Sequence, residues 1–451
     1  MIVAKFGGTS VADAAAIRRT ASIIHGRLDR EPVVVVSALA GTTTALLAAA
    51  EQCAEGHLVT AIAQIEALRE RHLAVVDELL GDDAAGGDVA ADTSMRFDEI
   101  AHLGEALSVL GHVTPRSLDA FASMGEQLSA PIVAAAFAKH GIDAAWVDAR
   151  CIMITDASFG RAEPALDAVA AAARAHIAPL VRRGRVPVLG GYIGATADGI
   201  TTTLGRGGSD YSASLIGSAL EAEAIEIWTD VDGMLTADPR VVKDARHIEH
   251  IRFDEAAELA SFGAKVLHPS TIAPAVRRGI PVFVFNSLRP EGKGTRITFD
   301  APRAPVRAIA GKSNVVIVKV RSPRMLATPG ALRAIFQVFE RNRTSVDVVA
   351  TSEVSVSLTV DDDQHLDSVV AQLREFGDVS VERARGIVAL VGAGLGESSP
   401  TMARAIAAIG DVRLHMLSLS ATGINLTLIV DADQVQPVMA RLHEEFFGGA
   451  A

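Results

Sequence analysis

Two short stretches of this 451-residue chain carry residue types suited to holding a phosphoryl group. One is Lys5-Phe6-Gly7-Gly8-Thr9-Ser10 and the other is Gly205-Arg206-Gly207-Gly208-Ser209-Asp210. In both, glycines let backbone N–H groups approach phosphate oxygens, and a helix is expected directly afterwards, with a dipole that favours an anion. Lys5 adds an ammonium at the end of a strand. Arg206 adds a guanidinium suited to two-pronged carboxylate binding, and Asp210 a carboxylate able to hold a lysine in place. A single Lys-x-Gly-Gly turn reads as an ordinary tight turn, and this one does not fit the Walker A pattern. Two such turns in one chain point to phosphoryl chemistry.

The elements that must position these residues follow from hydrophobic patterning. Ile2 to Phe6 reads as a strand, followed by a turn and a helix from about Val11 to Leu28. Val33 to Val36 is apolar on both faces, as in a buried parallel strand. Strand, helix, strand in that order predicts right-handed βαβ units. Leu58, Ile62, Ile65 and Leu68 mark one face of a helix, and Gly81 to Ser94, rich in Gly, Asp and Ala, is expected to be a loop. Further strands are expected at Ala145–Val147, Val186–Leu189, Ala224–Trp228 and Val282–Phe285.

Near residue 300 the composition shifts, with Pro302 and Pro305 flanking a short basic stretch. Beyond it a βαββαβ pattern occurs twice. The first copy has strands at Val315–Val320, Ser345–Ala350, Val354–Val360 and Val379–Val381, with helices marked by Leu332, Ile335, Phe336 and Phe339 and by Leu366, Val369, Val370 and Leu373. The second runs from Ile387 to Phe447, with Asn425-Leu426-Thr427 matched to Ser357-Leu358-Thr359. Gly392-Ala393-Gly394-Leu395-Gly396 has Glu397 where a dinucleotide fingerprint needs its third glycine, so it reads as a strand-to-helix turn. His247 and His250 are expected on a solvated face.

Composition excludes several classes. Aromatic residues make up 4%, too few for a stacking platform, and the net charge of −12 opposes nucleic acid and anionic membranes. Cys53 and Cys151 cannot form a disulfide framework and are expected to be packed thiols in a reducing cytoplasm. No apolar run approaches the ~20 residues of a membrane span, and no signal peptide is expected.

Taken together, the two loops with Ser123-Met124-Gly125-Glu126, Gly191-Tyr192-Ile193-Gly194, Trp228 to Gly233, Ala237-Asp238-Pro239-Arg240 and Phe262 to Pro269 resemble the aspartate kinase family over nearly the whole chain. The resemblance implies an amino acid kinase fold, an α/β/α sandwich around a mostly parallel sheet, over 1–300, followed by two ACT domains over 313–385 and 386–451. It implies transfer from ATP, with Mg²⁺ held mainly by phosphates and water, to the β-carboxylate of L-aspartate, at the head of lysine, threonine and methionine biosynthesis. By resemblance, Lys5 and Asp210 are catalytic, with Lys5 stabilising the transferring phosphoryl. Gly7, Gly8, Thr229, Asp230, Arg240 and Lys265 correspond to nucleotide contacts. Arg206 is similar to the residue that grips the acceptor's α-carboxylate, Glu126 to the partner of its α-ammonium, and Thr43 to a further substrate contact. Two positions depart from the family pattern: Leu235, where many relatives carry tyrosine, and Gly190, where Gln or Thr is commoner and a looser pocket is expected. Kinases of glutamate, N-acetylglutamate, carbamate or UMP, and a catalytically dead sensor, are the competing readings.

The repeats differ in chemistry. Asp347 and Glu353 of the first copy align with His415 and Ala421 of the second, so only the first offers two acidic partners for a diamine. Met325, Ser345, Val346, Asp347, Ser352 and Glu353 resemble the lysine site of lysine-sensitive aspartate kinases. L-lysine is therefore the expected effector, in a homodimer joined through the ACT domains that could extend to a tetramer.

Overall fold

Ile2–Phe6 is central to the fold because it is apolar enough to be buried on both faces, as a strand inside a parallel sheet must be. It pairs in parallel with Pro32–Val36 on one side and Ala224–Thr229 on the other. The sheet continues outward in parallel through Val186–Gly190 to Ala144–Trp146, and through Val282–Asn286, which pairs antiparallel with Thr295–Thr298. One face, with Ala4, Phe6, Val34, Val36 and Trp228, packs against Ile17, Ile24, Val133 and Phe137 of two helices, Ala14–His25 and Pro115–Lys139. The opposite face meets the helix Gly208–Ala219, so close that a Cβ on Gly217 would lie 2.8 Å from Ile225. The result is the expected α/β/α sandwich.

This computed structural model describes residues 1–81, 84–262, 269–323, 329–361 and 365–449. The chain divides into two units, Met1–Met234 with Val266–Phe299, and Leu235–Lys265 with Asp300–Ala451. Among the described residues no helix is long and apolar enough to cross a membrane.

Several expectations change. The stretch read as a loop from Gly81 to Ser94 is instead largely the start of a helix, Ala84–Leu110. Val89 and Ala90 pack on the main core, and Thr93 and Phe97 are buried, so tertiary burial outweighs the low helix propensity of Gly86 and Gly87. Gly86 also permits the turn, since a Cβ there would collide with the Gly81 carbonyl. The first helix begins later than expected, at Ala14, where the Asp13 carboxylate caps the Ala16 N–H at 2.8 Å. Cys53 is a packed thiol, but Cys151 is exposed. His247 and His250 stand on two short strands.

In the second unit six strands form one sheet, ordered Val349–Thr351, Ser355–Asp361, Ala308–Arg321, Asp378–Val391, Asn425–Asp431, Met416–Leu419. Its two middle strands have 14 residues each, longer than the sequence patterning suggested. Residues from Val315 onward in Ala308–Arg321 pair with Ser355–Asp361, whereas its first residues pair with the end of Asp378–Val391 and join the other half. Ile309 accordingly belongs to the core built on Ser399–Ile409 and Val435–Phe447, while Val316, Val318 and Val320 belong to the core built on Ala331–Arg341 and Leu366–Leu373. On Ala331–Arg341 the buried residues are Ile335, Val338 and Phe339, and Leu332 and Phe336 of the expected apolar face are exposed. Gly392 follows the strand Asp378–Val391 and leads to the helix Ser399–Ile409, the turn read from sequence.

The internal alignment shifts by two residues. Val315 pairs with Asp361 and Arg385 with Asp431, so Ser357-Leu358-Thr359 corresponds to Thr427-Leu428-Ile429 and not to Asn425-Leu426-Thr427. The longer hairpin at Ser420–Ile424 supplies the difference. A two-residue slip leaves the inward and outward faces of a strand unchanged, so patterning alone could not detect it. Before that hairpin the expected match holds. Asp347 donates its N–H to Thr359 O at 2.9 Å, and His415 donates to Ile429 O at 2.9 Å.

Candidate active site

The parallel strands end level with one another, with Phe6 opposite Val36 and Trp228, and Thr229 opposite Asn286. Open parallel sheets bind ligands beyond these carboxyl ends. There Lys5 extends its ammonium to Asp210 Oδ1, 2.7 Å away, in the first turn of the helix Gly208–Ala219. Both side chains are nearly buried, at 11% and 13% exposure, so the pair is held in an environment that screens it poorly. Gly7 leaves room over this ammonium: a Cβ there would lie 3.6 Å from Lys5 Nζ. Gly8 passes tightly under Ala38, and its short 3₁₀ turn, Gly8–Val11, carries Ser10, whose hydroxyl donates to Ser287 Oγ at 2.8 Å.

Glu126 lies inside the helix Pro115–Lys139 and is 3% exposed. Desolvation pushes its carboxyl up to about 8, against opposing contributions from the Ala38 backbone, its own backbone and Lys5. Its Oε2 is buried without a hydrogen-bond partner. The neighbouring Gly125 packs so closely that a Cβ would lie 2.7 Å from Ala38 Cβ and 3.3 Å from Thr43 Oγ1, which brings Thr43 against the residue preceding Glu126. Gly190 is likewise required here. A Cβ there would lie 2.9 Å from Glu126 Cβ, so the glycine packs against the glutamate and does not loosen the pocket as expected.

The Arg206 loop is built from residues that tolerate unusual backbone angles. Gly205 and Gly207 have φ of +76° and +74°, and Arg206 between them is exposed. Tyr192 is one of the non-glycine residues at positive φ, +65°, and its N–H is held by Ser212 Oγ at 3.0 Å. A Cβ on Gly208 would lie 2.7 Å from the Tyr192 ring, which explains the glycine. Ser37 Oγ donates to Ser209 Oγ at 3.1 Å, joining the end of the second strand to this loop.

Thr229 and Asp230 stand at the end of their strand, with Thr229 Oγ1 donating to Asp230 Oδ1 at 3.2 Å. The structure thus brings together Lys5, Gly7, Gly8, Asp210, Thr229 and Asp230 along the sheet edge, and packs Thr43 against the segment carrying Glu126. Arg240 lies in the second unit and is paired with Asp238 at 2.6 Å. Lys265 lies outside the described residues.

Of the expected effector residues, Met325 lies outside the described residues. Ser345, Asp347, Ser352 and Glu353 are exposed, and Val346 is partly buried. Ser352 and Ser355 hydroxyls lie 2.7 Å apart at the hairpin turn. Asp347 already has a cation: Lys312 Nζ lies 3.1 Å from its Oδ2 and 2.6 Å from Asp361 Oδ1. The equivalent place in the other half differs, with His415 set between Glu382 and Asp431 at 3.4 and 3.0 Å.

Sequence reasoning missed Asp119, a buried carboxylate bonded to Gly160 and Thr203, and the buried Glu226. The available signal for Asp119 was its place seven residues before Glu126, two helical turns away on the same face.

Residues 1–286 match the amino acid kinase family, which defines the class of this fold and site. The lysine-sensitive aspartokinase 3 of Escherichia coli K12 is 36% identical over 456 residues, covering 99% of each chain. The chain belongs to the aspartokinase family and is a kinase. Solved structures agree. E. coli aspartokinase III in complex with aspartate and ADP, described as the R-state, matches over 99% of this chain and 100% of its own, with a TM-score of 0.87 at 36% identity. The same enzyme with lysine and aspartate, described as the T-state, matches over 99% of both chains with a TM-score of 0.83 at 36% identity.

Proposed function

We propose that this protein transfers the γ-phosphoryl group of ATP to the β-carboxylate of L-aspartate, giving 4-phospho-L-aspartate and ADP. The observation that carries the reading is the buried Glu126 with one unpartnered oxygen, in an enclosure whose charge partners include Lys5. An amino-acid ammonium is the partner that such a carboxylate lacks. A β-carboxylate oxygen attacks the γ-phosphorus, the bond to the β,γ-bridging oxygen breaks, and ADP leaves. No base is needed, because a carboxylate with a free pKa of ~3.9 is already ionised at neutral pH.

In this mechanism Lys5 neutralises charge on the transferring group, and Asp210, 2.7 Å away, holds the ammonium in place. Gly7 and Gly8 admit the phosphates to the backbone, and Thr229, Asp230, Arg240 and Lys265 hold the nucleotide. Arg206 takes the acceptor's α-carboxylate, Glu126 its α-ammonium, and Thr43 gives a further substrate contact. Mg²⁺ would be carried on the nucleotide's phosphates and water. The acyl phosphate would serve as the activated entry to lysine, threonine and methionine synthesis. Trapping the acyl phosphate with hydroxylamine across aspartate, glutamate, N-acetylglutamate and carbamate tests the acceptor. Product from another acceptor but not aspartate would overturn the reading. Lys5→Ala should lower kcat by ~10²-fold or more.

As domains we propose a catalytic part over 1–300 and ACT-type modules over 313–385 and 386–451, the second completed by Ala308–Lys312. L-lysine is the proposed effector at Met325, Ser345, Val346, Asp347, Ser352 and Glu353. Lys312 Nζ lies between Asp347 and Asp361, so an incoming ammonium would compete with that side chain for Asp347. Inhibition by threonine with none by millimolar lysine would exclude this effector. Exposed Val349, Val354, Leu417 and Leu419 near the outer strands favour a homodimer formed through this sheet, which sedimentation would test.

A further inference from the structure

Asp119 is 2% exposed and shares the helix Pro115–Lys139 with Glu126. Its carboxylate is occupied by two backbone segments. The Gly160 N–H donates to Oδ1 and Oδ2 at 3.0 and 2.9 Å. The Thr203 N–H donates to Oδ2 at 3.0 Å, and the Thr203 hydroxyl to Oδ1 at 2.6 Å. Thr203 ends the strand Thr201–Thr203, and Gly205-Arg206-Gly207 begins two residues later.

The Gly160 turn supports the same loop. Ala162 N–H donates to Thr203 O at 2.9 Å, and a Cβ on Gly205 would lie 3.2 Å from the Gly160 carbonyl. Gly160, Gly205 and Gly207 all have positive φ, between +74° and +82°. Glycines allow this path but do not enforce it, because they are also the residues with the most alternative conformations. Asp119 fixes both strands of the path at once through charge-assisted bonds.

We propose that Asp119 is a positioning residue for the phosphoryl acceptor, fixing the entry to the Gly205–Gly207 loop so that Arg206 meets the acceptor's carboxylate. Because Glu126 is carried on the same helix, one rigid element then sets the spacing between the two groups that hold the acceptor's opposite charges. The inference rests on the assignment of Arg206 made above.

The test is a kinetic cycle of D119N, R206A and the double variant, with KM for aspartate and for ATP measured separately and thermal melting followed in parallel. D119N places an amide among donors that need an acceptor. Its aspartate KM should rise by ~10-fold or more, within the ~10²-fold that a misplaced gripping group can cost, while ATP KM stays within ~2-fold. In the R206A background the same substitution should add little to aspartate KM. Equal rises in both KM values, or full additivity with R206A, would overturn the inference and leave the Arg206 assignment standing. R206A with an unchanged aspartate KM would overturn both. If D119N does not fold, T203V removes the 2.6 Å bond together with the Thr203 hydroxyl's contact to the Tyr192 side chain, and should raise aspartate KM selectively where Y192F, which loses only the latter, does not. An unchanged value there would also overturn it.

Discussion

Two buried glutamates in the first unit, 100 residues apart in sequence, have opposite surroundings. Glu226, mid-strand in Ala224–Thr229, meets Arg27 Nε at 2.6 Å, Arg30 Nη1 at 2.8 Å and Trp228 Nε1 at 3.1 Å. Arg27 also lies 4.6 Å over the Trp228 ring, within an aromatic stack of Phe6, Trp228 and Phe285. Glu126 has an orphaned oxygen and a carboxyl pushed up to about 8. A buried charge with its partners supplied by the chain belongs to the fold. One with an oxygen left without a partner has a cost that a bound cation can offset, which fits the site proposed above.

The sharpest way to break this comparison is Glu126→Gln. Truncating one side of a buried charge pair costs ~2–5 kcal/mol, so kcat/KM for aspartate should fall by ~10²-fold or more. The melting temperature should hold or rise, since an amide oxygen can keep the backbone bonds that the carboxyl accepts and Oε2 has no partner to lose. A variant that melts early but turns over normally would reverse the assignment of the two glutamates.

Glu226→Gln should do the opposite. It leaves two guanidiniums facing a neutral amide and should destabilise by ~3 kcal/mol, the lower end for a broken buried pair because both arginines reach solvent. Denaturant unfolding measures this, and turnover per folded molecule should be unchanged.

His72 sharpens the comparison, because it too has an orphaned buried atom, Nε2, yet no ligand role follows. Its Nδ1 lies 2.7 Å from Leu68 O and its ring meets Phe97 edge-on at 5.2 Å. Burial, the largest influence, lowers its pKa from 6.5 to about 4. Between those values the unfolded chain binds a proton that the native one does not, so stability should fall as pH drops from 6.5 toward 4. His72→Met should flatten that slope, by ~2 kcal/mol at pH 5. An unchanged acid slope would refute the buried neutral imidazole.

The smallest effect concerns the proton on Glu126. Its pKa of about 8 against 4.5 unfolded means the free protein loses stability as pH rises from 4.5 to 8, and an arriving ammonium must displace that proton. The kcat/KM for aspartate should therefore decline ~10-fold per unit below about pH 8, and E126Q should lack this limb. A flat profile in the parent protein would mean that Glu126 is ionised before the acceptor arrives.

Much of the candidate site was legible because its residues are local in sequence. Lys5 with Gly7 and Gly8, and Arg206 with Asp210, sit in contiguous loops. What escaped depends on distant partners. Nothing near Glu226 in sequence predicts Arg27 and Arg30, and Asp119 acquires meaning only when Gly160 and Thr203 close on it. Gly190 read as a loosening departure because the glutamate packed against it lies 64 residues earlier. The helix from Ala84 escaped because its glycines spoke louder than the core that Val89 and Phe97 reach. In the second unit, each half's patterning was readable but the lending of Ala308–Lys312 to the far half was not.

That loan has a consequence for how the protein can be cut and rebuilt. The strands Ala308–Arg321 and Asp378–Val391 pass through both halves of the sheet, so no single cleavage point separates them. A truncation before residue 386 removes the partner of Ala308–Lys312, and a fragment starting there lacks the strand that covers its own edge. The two modules are spliced like the halves of a scarf joint. Grafting one from a differently regulated relative therefore requires exchanging both long strands together.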